Sequence, residues 1–274
     1  MSYDLKEICK DIRCDIMTSI GHLGVGHIGG CLSIVELLAA LYFKEMNIDP
    51  QNPKMPGRDR FVCSKGHAGP AVYATLANRG YFDKEMLMTL NQGGTRLPSH
   101  CDMNRTPGID MTTGSLGQGF SCAVGVALGS KLENDGATVY AVIGDGESQE
   151  GQIWEAAMFA ASRKLDNLVA FTDANKLQLD GAVDEINPVA PLGDKWAAFG
   201  WNVIEVADGN DVYAVDEAII KAKANRGTGK PTMVILNTVK GCGVSYIVAM
   251  GAGNHNANIS WDDALRACAE IRGE

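Results

Sequence analysis

The sequence is short of basic charge. Its 274 residues hold 24 Lys and Arg against 33 Asp and Glu, for a net charge of -9 and a pI near 5.1. Nucleic acid and anionic membranes both reward basic patches, so neither is expected as a partner. An anionic ligand would have to be held by local histidines, a metal and backbone amides. No apolar run is long enough to span a bilayer. The amino-terminal stretch carries Asp4, Lys6, Glu7, Lys10 and Asp11 in place of the apolar core of a secretory signal. Eight cysteines (Cys9, Cys14, Cys31, Cys63, Cys101, Cys122, Cys242, Cys268) are scattered with no Cys-x-x-Cys pair. Zinc-site spacing and a thioredoxin motif are therefore absent, no disulfide framework is expected, and the expected setting is the reducing cytoplasm. Internal repeats and low-complexity segments are missing too. Histidine is scarce, with five residues in all.

What is present concentrates in Gly144-Asp145-Gly146-Glu147-Ser148-Gln149-Glu150-Gly151 and, further on, in Asp173-Ala174-Asn175-Lys176. The run Ala137 to Ile143 is rich in β-branched and aromatic residues and stops at a glycine, which predicts a strand ending at Asp145. From Glu150 to Lys164 apolar residues recur at helical spacing (Ile153, Ala157, Ala160, Ala161). A second buried strand is predicted at Leu168 to Thr172, just ahead of Asn175. A strand, helix, strand crossover makes the two strands parallel, so both loops open at one edge of the sheet and Asp145 can meet Asn175. One carboxylate and one amide oxygen suit a magnesium ion that keeps phosphate oxygens as ligands. Gly-Asp-Gly alone is a common turn tripeptide, and it is the asparagine after a second strand that favours a metal site.

The remaining pattern predicts a helix over Leu5 to Thr18, a glycine-rich turn from Gly21 to Gly30, and an apolar helix from Ser33 to Met46. Asn47 to Arg60 reads as a polar loop, Arg60 to Ser64 as a short strand delivering His67, and Pro70 as compatible with the next helix's first turn. Asn91 to Ser115 reads as irregular, a length that inside a domain marks function or mobility. Trp201 to Val206 and Thr232 to Leu236 read as strands flanking a helix at Asp211 to Asn225, capped by Asn210 or Asp211. Ser260 opens a last helix in a capping-box arrangement. Alternating strands and helices predict an α/β fold with a doubly wound, mainly parallel sheet and helices on both faces, ligands binding beyond the strands' carboxyl ends. A dinucleotide fingerprint fails, since the third glycine position is Gln149 after Gly144-Asp145-Gly146 and Cys122 after Gly117-Gln118-Gly119.

Four of the five histidines, His27, His67, His100 and His255, fall in further motifs or beside glycine-rich stretches. The motifs are Gly26-His27-Ile28-Gly29-Gly30, Ser64-Lys65-Gly66-His67-Ala68, Thr112-Thr113-Gly114-Ser115-Leu116-Gly117 and Thr238-Val239-Lys240-Gly241-Cys242-Gly243. With the Gly144 and Asp173 motifs, they make the chain resemble the amino-terminal, diphosphate-binding portion of transketolase, as found where the enzyme is split into two polypeptides. The resemblance spans essentially the full length. It implies a single thiamine diphosphate-binding domain over residues 1–274, with the pyrimidine-binding and carboxy-terminal domains on a partner subunit, and a two-plus-two heterotetramer as the expected assembly.

By that resemblance the cofactor is thiamine diphosphate with Mg2+ or Ca2+, ligated by Asp145, Asn175 and the main-chain carbonyl of Leu177. His67, Gly146 and His255 match diphosphate contacts, with Lys240 a further candidate. Gly114 would accept from the aminopyrimidine, while Leu116 and Leu179 would pack on the thiazolium ring. Glu150 and Glu155 match carboxylates at the interface joining cofactor sites. His27, His67, His100 and His255 match histidines that contact donor hydroxyls or move protons. The implied reaction is two-carbon ketol transfer between sugar phosphates in carbohydrate metabolism, as in the pentose phosphate reactions. Where the family has His-Pro-Glu, this sequence has His100-Cys101-Asp102. The alternatives are another thiamine diphosphate enzyme, of the deoxyxylulose phosphate synthase or 2-oxoacid dehydrogenase α type, and a non-catalytic interaction subunit.

Overall fold

The computed structural model, which describes residues 3–274, has seven strands: β1 (Val25–Gly26), β2 (Arg60–Cys63), β3 (Val139–Gly144), β4 (Leu168–Asp173), β5 (Asn202–Val206), β6 (Thr232–Leu236) and β7 (Ala257–Asn258). Five of them form one sheet in the order β2-β3-β4-β6-β5, every pair parallel. The strands are continuous apolar runs because both faces are covered. Tyr140, Val142, Phe171 and Val234 join the core on one face, and Val139, Ala141, Ile143 and Met233 join the core on the other. The first core is closed by helices Leu5–Leu23, Val35–Ala40, Gly69–Arg79 and Val212–Ala224, the second by Gln118–Glu133, Gly151–Ser162 and Leu192–Ala198. This is the doubly wound sheet expected from the alternation.

Several expected boundaries shift, each for a packing reason. The first helix runs on to Leu23, through the start of the stretch read as a glycine-rich turn. Gly21 serves helix packing there, since a Cβ on it would come within 2.6 Å of the Ala264 Cβ on helix Trp261–Arg272. The apolar helix expected from Ser33 to Met46 is α-helical only over Val35–Ala40, and then widens into a looser turn in which the Met46 N–H reaches the Leu41 carbonyl at 2.9 Å. Asp211, of the two capping candidates, accepts from the Tyr213 N–H, and Ser260 with Asp263 completes the capping box.

Two features escape the hydrophobic pattern. Helix Gln118–Glu133 is rich in small and apolar residues on every side, which leaves no stripe to read. The two-residue strands β1 and β7 pair antiparallel, Gly26 opposite Ala257, and join segments from opposite ends of the chain. That ribbon sets His27 beside His255.

Candidate active site

Asp145 follows β3 and Asn175 follows β4, and the two strands are in register with Gly144 opposite Asp173. Both loops therefore open at the carboxyl edge. A cavity of about 330 Å3 lies there, and every residue nominated from sequence for catalysis, cofactor or metal lines it. They come from segments spread along the chain, from His27 to His255. Glu155 does not line it and lies exposed on helix Gly151–Ser162; His22 is elsewhere, against Trp261.

The histidines form one cluster. His27 has its ring centroid 5.5 Å from His67, 5.4 Å from His100 and 5.4 Å from His255, and His67 lies 4.9 Å from His255. Burial is the first cause holding all four imidazoles below their usual range. For His67 the nearby Lys65 charge adds to it, and for His255 the Lys240 charge, bringing His255 down to about 4. At neutral pH the cluster is uncharged, able to donate at one ring nitrogen and accept at the other.

Local structure fixes each histidine. Gly66 carries His67 into the site because nothing larger fits: a Cβ there would sit 2.6 Å from Thr113 Oγ1. The long loop from 91 to 115 is largely irregular as expected, yet it is pinned. Tyr73 donates its hydroxyl to the carbonyls of Pro98 and His100 at 2.9 Å each, and Thr113 donates to the Cys101 and Cys63 carbonyls at 3.1 and 2.7 Å. Cys101, at the departure from His-Pro-Glu, is a core residue, 2% exposed. The segment before His255 is held by Asn254, wholly buried, which donates to the Lys240 and Ile247 carbonyls.

The opposite wall is oxygen-rich. The Asp145 carboxylate accepts the N–H groups of Gly146 (2.8 Å) and Lys176 (2.5 Å), and Lys176 takes a left-handed backbone, φ 66°, to deliver it. Burial first, and the Asp173 charge second, push the Asp145 carboxyl up to about 6. Among the described residues no side-chain cation pairs with it. Asn175 Oδ1 accepts from the Leu177 N–H at 3.0 Å, and the Leu177 carbonyl accepts from Lys240 Nζ at 3.3 Å. Lys240 also meets His255 Nδ1 at 3.1 Å; burial, then the Lys65 charge, lower its ammonium to about 8. Among the described residues no three His, Cys, Asp or Glu side chains cluster as a metal site. The donors here are instead a carboxylate, an amide oxygen and a backbone carbonyl, a set that fits a hard cation sharing phosphate ligands. An ionised carboxylate buried without a counter-charge is stabilised by such a cation.

Leu116 and Leu179 stand at the rim, 36% and 59% exposed, with Glu150 beside them. Six lining residues were given no role from sequence: Gly30, Lys65, Gly144, Glu147, Gln149 and Gln178. Lys65 and Glu147 do occur inside the motifs, next to His67 and Gly146. Glu147 is 2% exposed and accepts from Ser64 Oγ (2.5 Å), the Gly117 N–H (2.9 Å) and the Gly144 N–H (3.1 Å), so it ties three cavity segments together.

Comparison with known proteins gives a consistent picture. The family model described as transketolase, thiamine diphosphate binding domain, matches residues 5–270. A 6-deoxy-6-sulfo-D-fructose transketolase subunit of Clostridium sp. (strain MSTE9) is 56% identical over 271 residues, covering 99% of this chain and 97% of that protein. An apulose-4-phosphate transketolase subunit of Actinobacillus succinogenes is 40% identical, covering 100% of this chain and 98% of that protein. Among solved structures, a transketolase from Leishmania mexicana superposes with a TM-score of 0.91 at 29% identity, over 99% of this chain and 42% of that one. The chain thus spans about two fifths of the solved transketolases it matches, and nearly all of the subunit-type relatives.

Proposed function

Because this chain belongs to the transketolase family, whose thiamine diphosphate-binding domain it matches along its length, we propose that it is the diphosphate-binding half of a two-polypeptide ketol transferase. The observation that carries the proposal is the gathering of four imidazoles and the Asp145, Asn175 and Leu177 oxygens around one cavity. Bound thiamine diphosphate supplies a nucleophilic carbon and an electron sink for breaking the bond next to a ketose carbonyl.

In this reading Asp145, Asn175 and the Leu177 carbonyl hold the cation, Mg2+ or Ca2+. Gly146, His67, His255 and Lys240 face the diphosphate, and Gly114 accepts from the aminopyrimidine. Leu116 and Leu179, exposed at the rim, cover the thiazolium ring, while Glu150 and Glu155 face a neighbouring subunit. His27, His67, His100 and His255 bind donor hydroxyls and move protons at the substrate oxygens, a role suited to imidazoles kept neutral. Residues 1–274 form one domain, and the pyrimidine-binding and carboxy-terminal domains belong to a partner subunit. The assembly is a heterotetramer working in the cytoplasm, in keeping with eight unpaired cysteines.

The donor is a ketose ending in an anion. The two subunit-type relatives are named for a sulfonated and a phosphorylated sugar, and the higher identity to the first makes a sulfonated ketose worth testing beside ketose phosphates of pentose phosphate metabolism. The test is reconstitution with the partner, thiamine diphosphate and Mg2+, followed by assay of two-carbon transfer from both donor classes. Turnover of pyruvate in place of a ketose would favour the 2-oxoacid alternative and overturn the proposal.

A further inference from the structure

Asp173 ends β4 and is wholly buried behind the cavity, whose wall it does not join. Its Oδ2 accepts from Ser33 Oγ at 2.7 Å, from Asn175 Nδ2 at 2.8 Å and from Lys65 Nζ, and its Oδ1 accepts from Thr238 Oγ1. Those donors come from four segments: the turn after Gly30, the loop after β2, the loop after β4 and the loop after β6. Four donors thus meet a carboxylate that offers about four lone-pair sites, three of them crowded on Oδ2. Lys65, 2% exposed, gives its other contact to the Gly30 carbonyl at 3.0 Å. A buried ion pair is a weak stabilising device, since desolvation offsets most of the attraction. Its use here lies in what it does to its neighbour.

An asparagine amide has two ends of nearly equal size, one a ligand for a cation and the other not. Which end faces a site is set by the hydrogen-bond network around it. Asn175 Nδ2 is held by Asp173, and this turns Oδ1 to the side where the Leu177 N–H and the Asp145 loop converge. We propose that the Lys65–Asp173 pair is a positioning device: Asp173 locks the Asn175 amide with its oxygen toward the cation, and Lys65 balances the charge of Asp173 where water does not reach. The inference rests on the cation site of the proposed function.

The test is Mn2+ binding, with thiamine diphosphate, to the chain reconstituted with its partner subunit, followed by electron paramagnetic resonance. Lys65→Met with Asp173→Leu keeps the branching of both side chains, removes both charges and takes away the acceptor. Mn2+ affinity is expected to fall at least tenfold in that double variant. Adding Asn175→Asp is expected to restore it, because both ends of a carboxylate ligate. Parent-like affinity in the double variant, or no recovery with Asn175→Asp, overturns the proposal. Should the double variant fail to fold, the parent chain decides by NMR: the Asn175 Nδ2 protons are expected to exchange with solvent much more slowly than those of exposed Asn134. Fast exchange overturns the lock. Absence of Mn2+ binding in the parent would instead refute the cation site itself. Loss of binding on Asp145→Asn, together with parent-like affinity in the double variant, would leave that site standing and remove the lock.

Discussion

Keeping four imidazoles neutral inside a cavity carries a stability consequence that can be measured without cofactor or partner. His255 has its pKa brought down to about 4, by burial first and then by the Lys240 ammonium 3.1 Å from its Nδ1. In the unfolded chain it titrates near its ordinary value of 6.5. Below that value the unfolded chain takes a proton that the folded chain refuses, so stability is lost as pH falls from 6.5 and levels off below about 4. At pH 5 the linkage relation puts the loss from this one residue at about 2 kcal/mol at most, and solvent screening of the half-buried ring brings it to about 1 kcal/mol. His27, His67 and His100 push in the same direction, while Asp145, raised to about 6, opposes them because its folded form takes the proton first. A single-site comparison removes the shared contributions. Urea unfolding of the parent and of His255→Asn at pH 7.5 and pH 5 should give a pH-dependent loss smaller in the variant by about 1 kcal/mol. Equal losses in the two proteins would refute the assignment of a neutral, cation-facing His255.

Other outcomes follow from the same geometry. Glu147→Gln places an amide N–H against backbone donors and should lower stability by about 2 to 4 kcal/mol, with weaker cofactor binding; an unchanged urea midpoint would refute its bracing role. Gly66→Ala forces a shift against Thr113, and ketol transfer in the reconstituted enzyme should fall at least tenfold while far-UV circular dichroism stays native; full activity would show that the loop yields freely. Calorimetry on the reconstituted complex should show binding of thiamine diphosphate with Mg2+. Chelation by EDTA should abolish that binding, and Mg2+ or Ca2+ should restore it; binding that survives chelation would remove Asp145 and Asn175 from the ligand set.

Much of the site was legible because its anchors sit at the ends of strands buried on both faces. The runs leading to Asp145 and Asn175 are apolar and β-branched, and parallel register brings their loops together at one edge. Helix Gly151–Ser162 and the cap at Ser260 were legible from local chemistry alone, and the cap at Asp211 to within one residue. What escaped was nonlocal. The β1–β7 ribbon has two residues a side, too short for any period, yet it puts His27 next to His255. Lys65 and Asp173 each look like an ordinary polar residue in a motif until the fold buries them together. Helix Gln118–Glu133 shows no apolar stripe in sequence because Phe120, Ala123, Val124 and Ala127 face the core while its open side also carries small and apolar residues, Cys122, Gly125 and Leu132 among them. Cys101 reads as a departure in a binding motif and turns out to be a core side chain next to His100.

The most direct test of the central claim is ketol transfer by the purified chain, by a polypeptide carrying the pyrimidine-binding domain, and by their mixture, each with thiamine diphosphate and Mg2+. Transfer of two carbons from a ketose to an aldose is expected in the mixture alone, and Asp145→Ala in this chain is expected to abolish it. Transfer by the isolated chain, or by a mixture built on the Asp145→Ala variant, would contradict a site completed by a partner and anchored on this cation.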